Sequence, residues 1–153
     1  MRAVVQRVSN ASVTFLQGAT EVLAGSISQG IIVYLGVAAN DTEQDASYLA
    51  EKVSYLRIFM DDQEKMNLSI KDLGYDALVV SQFTLLADAR KGRRPSYSAA
   101  ADPAMAQRLY EFFCHELRKL GVHVQTGRFQ EIMRVSYINE GPVTILLDSA
   151  KMF

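Results

Sequence analysis

Two stretches of this chain carry so little polarity that only a sheet covered on both faces can hold them. The first is Ile31-Ile32-Val33-Tyr34-Leu35-Gly36-Val37, and the second opens with Ala77-Leu78-Val79-Val80 and reads as a strand through Phe83. A strand with one face in water alternates apolar and polar residues, whereas an unbroken apolar run needs partners on both sides. Their shortness and β-branched content favour strands over helices. The fold must therefore place layers on either side of a central sheet, and 153 residues suffice for one such domain, expected to span 1–153.

The other elements can be assembled around that requirement. From Met1 to Phe15 the odd positions Ala3, Val5, Ala11, Val13 and Phe15 form an apolar face, the period of a half-buried strand, with Arg7 and Ser9 as interruptions. Gln17-Gly18 makes a turn, and Glu21 to Ser28 reads as the return strand. Thr42 and Asp45 have capping-box spacing ahead of the stripe Ala46, Leu49, Ala50, Val53 and Leu56. Arg57 to Met60 predicts a strand and Asp61-Asp62-Gln63 its turn, while Ala87 to Ala101 is a long polar loop. Asp102 caps a second helix with Pro103 at its first position, its stripe is Leu109, Phe112, Phe113, Leu117 and Leu120, and Gly121 ends it. Strands are expected near His123 to Gln125, Met133 to Ile138 and Pro142 to Leu147, the last two separated by Asn139 to Pro142. This order predicts an α+β domain: a largely antiparallel, barrel-like sheet with two main helices packed on it.

Much chemistry is disfavoured by what is missing. Cys114, His115 and His123 are the only soft metal ligands, and neither CxxC nor HExxH spacing occurs, so no metal is expected. A lone cysteine fits a reducing compartment. There is no GxSxG elbow, P-loop or dinucleotide fingerprint, and no cofactor is expected. The N-terminus lacks the apolar region of a signal peptide, and Ile31 to Ala39 is too short to span a bilayer, so a cytoplasmic location is expected. Sixteen Lys and Arg against seventeen Asp and Glu give a net charge of −1, unlike a protein that coats nucleic acid. One local basic cluster, Arg90, Lys91, Arg93 and Arg94, could dock phosphate or simply face solvent.

Three polar interruptions stand out. Ser81-Gln82-Phe83-Thr84 ends an apolar strand with hydroxyl and amide groups, either ordinary strand-end chemistry or the edge of a pocket. Asn139-Glu140-Gly141-Pro142 has the composition of a turn. Arg7 lies on an apolar strand face, where a guanidinium is costly unless carbonyls accept its hydrogen bonds or a bulge rotates it outward.

Taken together these segments resemble one family. Ser81-Gln82-Phe83-Thr84-Leu85 resembles the SQFTL motif of the D-aminoacyl-tRNA deacylases, and Asn139-Glu140-Gly141-Pro142-Val143-Thr144 resembles their NxGPxT motif. Met1 to Val8, Arg57-Ile58-Phe59, Lys65 to Leu68, Gly92 to Ser96 and Thr126 to Phe129 are similar as well, so the likeness runs the length of the chain. The resemblance implies cleavage of the ester of D-aminoacyl-tRNA, and of glycyl-tRNA mischarged on tRNA-Ala, as chiral proofreading. It also implies a homodimer, with aminoacyl-tRNA (terminal adenosine and D-amino acid) as partner and neither membrane nor DNA. In that reading Gln82, Phe83 and Thr84 are the catalytic positions, and Ser81, Met133, Gly141, Pro142 and Arg7 bind or shape the substrate site. Gly141-Pro142 would be a cis pair entering the partner's pocket and excluding L side chains, with Arg7 holding that segment outward. The chain departs from the family's GxFGAxM pattern at Gln130 and Glu131, within Gly127-Arg128-Phe129-Gln130-Glu131-Ile132-Met133. Two other readings compete: a small-ester or amide hydrolase with no RNA involved, favoured by the near-neutral charge, and a non-enzymatic nucleic-acid-binding module footed on Arg90 to Arg94.

Overall fold

A computed structural model describes all residues from Met1 to Phe153. Strand β1, Arg2–Gln17, is the hub of the sheet. Its first half pairs antiparallel with β3, Gly30–Gly36, and its second half pairs antiparallel with β2, Thr20–Ile27. Along its other edge runs β8, Met133–Asp148, also antiparallel. Beyond β3 the sheet turns parallel, through β6, Asp76–Ser81, to β7, Val124–Thr126. The expected antiparallel character thus holds around β1, while β3, β6 and β7 make the sheet mixed. A Cβ placed on Gly25 of β2 would lie 2.8 Å from the carbonyl oxygen of Thr126, so the sheet curls until β2 nearly meets β7.

Two helices cover one face. Helix α1, Glu43–Ser54, starts at a capping box in which the Thr42 N–H and hydroxyl both donate to Asp45 at 2.8 Å. Helix α3, Pro103–Lys119, is capped by Asp102, which accepts from the N–H groups of Ala104 and Met105. The large core lies between these helices and the sheet and takes Ile31, Val33, Leu35, Ala77 and Val79 from β3 and β6. The smaller core fills the inside of the curl with Ile32, Leu78, Val80, Val8, Ala11 and Val13. Alternate residues of the two apolar runs point into different cores, which is why neither run could afford a polar position.

Several elements differ from the sequence expectation. The second buried strand ends at Ser81, not Phe83, because Phe83–Leu86 tightens into a 3-10 turn headed by Gln82. Strand β4 is confined to Phe59–Met60 and forms a small hairpin with β5, Met66–Leu68, followed by the one-turn helix α2, Ile70–Leu73. The two expected C-terminal strands are one. Asn139 faces Val8 and Thr144 faces Gln6, so Glu140 to Val143 stand opposite Arg7 alone and form an outward excursion, not a turn. No helix is long and apolar enough to cross a membrane.

Candidate active site

A cleft of about 630 Å³ opens where β3 and β6 end, at the C-terminal edge of the parallel part of the sheet. Such edges are where ligands commonly bind in sheets of this kind, since the chain leaves the strands there and spreads apart. Its floor is Val37, Val80 and Ser81, with Gln82 and Phe83 rising from the turn after β6. Pro103 and Ala106 of α3 form one wall, and Phe129 to Met133 with Val135 form the other. Ser81, Gln82, Phe83 and Met133, four of the residues singled out from sequence, therefore share one cavity.

The turn is held from several sides. The N–H of Gln82 donates to Leu35 at 2.8 Å, which ties the turn to β3. Arg2 donates to the carbonyl of Leu85 at 3.0 Å while its Nε is paired with Asp148 at 3.0 Å. A Cβ on Gly36 would come within 3.0 Å of the Gln82 carbonyl oxygen and 2.5 Å of Leu86, so β3 and the turn touch backbone to backbone. Gln82 Nε2 donates to Thr84 Oγ1. The N–H groups of Phe83 and Thr84 open the turn and have no acceptor inside it, as at any helix start. Phe83 is 55% exposed and stands edge-on to Tyr97 at 5.1 Å, at the rim.

The opposite wall is equally fixed. Met133 Sδ accepts from the Arg128 N–H at 3.3 Å, and a Cβ on Gly127 would lie 2.7 Å from the same sulfur. Gln130, where the family pattern has glycine, adopts φ +63°, the left-handed region that a side chain makes costly. Glu131 is the sole ionisable residue in the lining. Both histidines are exposed and neither lines the cleft. Cys114 is buried in the large core, where burial pushes its thiol up to about 12. No three of His, Cys, Asp and Glu gather as a metal site would require.

Arg7, Gly141 and Pro142 lie elsewhere. Arg7 is 9% exposed and donates through Nη1 to the Ile58 carbonyl at 2.7 Å and through Nε to the Glu140 carbonyl at 3.1 Å. Of the two explanations open for this residue, carbonyl bracing is the one present. Asn139 Oδ1 accepts from the Val143 N–H at 3.1 Å, closing the excursion from its other end. Gly141 has φ +127°, and a Cβ there would meet Val143 at 2.8 Å and Arg7 at 3.0 Å. The Gly141–Pro142 bond is cis, and both residues are exposed. They do not enter the cleft of their own chain. Sequence reasoning missed Arg2, Ala100, Ala101 and Ala106, whose contribution depends on position alone and leaves no chemical signature.

The model of the D-Tyr-tRNA(Tyr) deacylase family matches residues 4–148. D-aminoacyl-tRNA deacylases of Desulfotalea psychrophila and Syntrophobacter fumaroxidans are 54% and 56% identical over 153 residues, covering all of this chain and all of theirs. The one from Thermotoga petrophila is 53% identical over the same span. Among solved structures, a c-Myc DNA unwinding element binding protein superposes with a TM-score of 0.86 at 38% identity, over 97% of this chain and 98% of its own. A probable eukaryotic D-amino acid tRNA deacylase superposes at 0.80 with 18% identity, over 95% and 97%, which speaks for the fold alone. The chain is a hydrolase. It belongs to the D-aminoacyl-tRNA deacylase family.

Proposed function

We propose that this chain hydrolyses the ester between a D-amino acid and the 3′ end of a tRNA, and does so as a homodimer. The observation that carries the reading is a separation. Ser81, Gln82, Phe83 and Met133 line one cleft, while Gly141 and Pro142 project from the other side of the same chain. A protomer holds two halves of a site that it cannot bring together, and a partner's excursion supplies the missing half. Seated over the cleft, the Gly141-Pro142 carbonyls accept from the substrate's α-ammonium group and occupy the space an L side chain needs. Selection then works by exclusion. Glycine, with no side chain to exclude, passes the same filter, so glycyl-tRNA is cleaved too.

The chemistry follows from what the cleft contains. Attack by water on the ester carbonyl builds charge on its oxygen, and the free N–H groups of Phe83 and Thr84 receive it, each such donor being worth about 3 kcal/mol. Gln82 orients the carbonyl, with Ser81 behind it. No acid–base pair lines the cleft, and no histidine stands near to activate Thr84 as a nucleophile. The terminal ribose's own 2′-hydroxyl therefore relays the proton from water to the departing 3′-oxygen. The test is hydrolysis of matched D-Tyr-tRNA and L-Tyr-tRNA by this protein and by a Gly141→Ala/Pro142→Ala variant. We expect rapid loss of the D ester alone, abolished or made indifferent to chirality in the variant. Equal inertness toward both esters overturns the reading.

A further inference from the structure

The segment between the turn and α3 has a structure of its own. The N–H of Asp88 donates to the Ser96 carbonyl at 2.8 Å, and the N–H of Ser96 donates to the Asp88 carbonyl at 2.9 Å. This pair of hydrogen bonds pinches the chain into a projecting tip, residues 89–95, carrying Arg90, Lys91, Gly92, Arg93, Arg94 and Pro95. Arg90 is committed internally: Nε and Nη2 grip Asp88 at 2.9 and 2.7 Å, which holds that carboxyl far below the ordinary carboxylate range. Lys91, Arg93 and Arg94 are exposed and make no ion pair. The tip is also anchored to the cleft. Tyr97 meets Phe83 at the rim, the N–H of Ala101 donates to Val37 at 3.0 Å, and Ala100 and Ala101 line the cavity.

The charge distribution gives these cations a meaning. Of sixteen Lys and Arg against seventeen Asp and Glu, four cations sit in the tip, so the remaining chain has twelve against seventeen and is net −5. A polyanion approaching this surface meets net negative charge on average and a cluster of cations at the tip beside the cleft. We propose that Lys91, Arg93 and Arg94 grip the phosphates of the tRNA's 3′ strand, so that the tip steers the aminoacylated end into the cleft. This rests on the deacylase reading. Phosphate docking of this kind is indifferent to the esterified amino acid and sensitive to salt.

The experiment replaces Lys91, Arg93 and Arg94 together with Gln, leaving Arg90 and its Asp88 clasp intact. Binding of uncharged tRNA is titrated across a range of salt, and hydrolysis is followed on D-Tyr-tRNA and on 3′-O-D-tyrosyl-adenosine, which has no phosphate. Three lost contacts should lower the slope of log affinity against log salt by about 2–3 and weaken binding on the order of tenfold or more at low salt. Hydrolysis of D-Tyr-tRNA should fall similarly through KM, while the adenosine ester is cleaved by variant and unmodified protein alike. An unchanged salt slope overturns the proposal, as does equal loss on both esters, which would mean that the tip merely supports the cleft. Failure of the deacylase reading would look different: the unmodified protein would cleave neither ester, and the tRNA titration would still decide the role of the tip.

Discussion

At the scale of single residues, Arg7 has the most consequential environment. A buried guanidinium is tolerable only because two backbone carbonyls from distant parts of the chain, Ile58 and Glu140, face it. It ties the β4 hairpin to the Gly141-Pro142 excursion and closes off the space where a side chain at position 141 would go. Arg7→Met keeps much of the volume but leaves both carbonyls without their donor. Urea unfolding should show a loss of about 3 kcal/mol, on the scale of charged hydrogen bonds removed from a buried site. Discrimination between D- and L-Tyr-tRNA should loosen more than hydrolysis of the D ester declines. A variant as stable and as selective as the parent would remove Arg7 from any positioning role.

At the scale of elements, the site depends on how tightly the end of β3 and the 3-10 turn approach each other. Gly36→Ala puts a methyl group against the Gln82 carbonyl and Leu86, so the turn must give by a few tenths of an ångström. In the proposed mechanism the reacting groups ride on that turn, so kcat should fall by about tenfold or more, the size of penalty that small misplacements bring. Far-ultraviolet dichroism should stay that of the parent; unchanged kcat would show that the turn is not what aligns the substrate. Sequence periodicity was a good guide to these elements where burial alone decides the pattern. The runs from Ile31 and Ala77, the Thr42 capping box and the Asp102-Pro103 helix start all lie where the residues point. It failed where backbone pairing overrides composition. Asn139-Glu140-Gly141-Pro142 reads as a turn from its residue types, yet β1 continues alongside and keeps both flanks in one strand. Of the cleft, the motif residues were legible, whereas Ala100, Ala101 and Ala106 had no signal beyond being small.

At the scale of the whole molecule, the proposed homodimer makes a prediction that no monomeric site can share. A Gln82→Ala protomer has an impaired cleft but a sound excursion, and a Gly141→Ala/Pro142→Ala protomer has the reverse. Coexpressed, they form a mixed dimer in which one of the two sites is assembled wholly from unaltered parts. With random pairing, half the dimers are mixed and half their sites work, so about a quarter of the parent activity should return. Each variant alone should lack D-selective hydrolysis, whether through inactivity or through indifference to chirality, so the recovery is read as D-Tyr-tRNA cleavage in excess of L-Tyr-tRNA cleavage. Recovery no greater than the average of the two variants would place the whole site within one chain.

The register of β8 against β1 has a further consequence. Between the pairs Asn139 with Val8 and Thr144 with Gln6, β8 spends three residues more than its neighbour. Three is an odd number, and a strand alternates sides with every residue. Met133, Val135 and Tyr137 before the excursion accordingly pack against the smaller core, whereas Val143, Ile145 and Leu147 after it pack into the large one on the other face of the sheet. The excursion behaves like a frameshift in a message read two letters at a time. A dipeptide can be spliced in or cut out here and the downstream half of the strand still reads correctly, whereas a single-residue change would turn every later side chain to the wrong face. The excursion is the punctuation between two clauses of β8, the first addressed to the smaller core and the second to the large one.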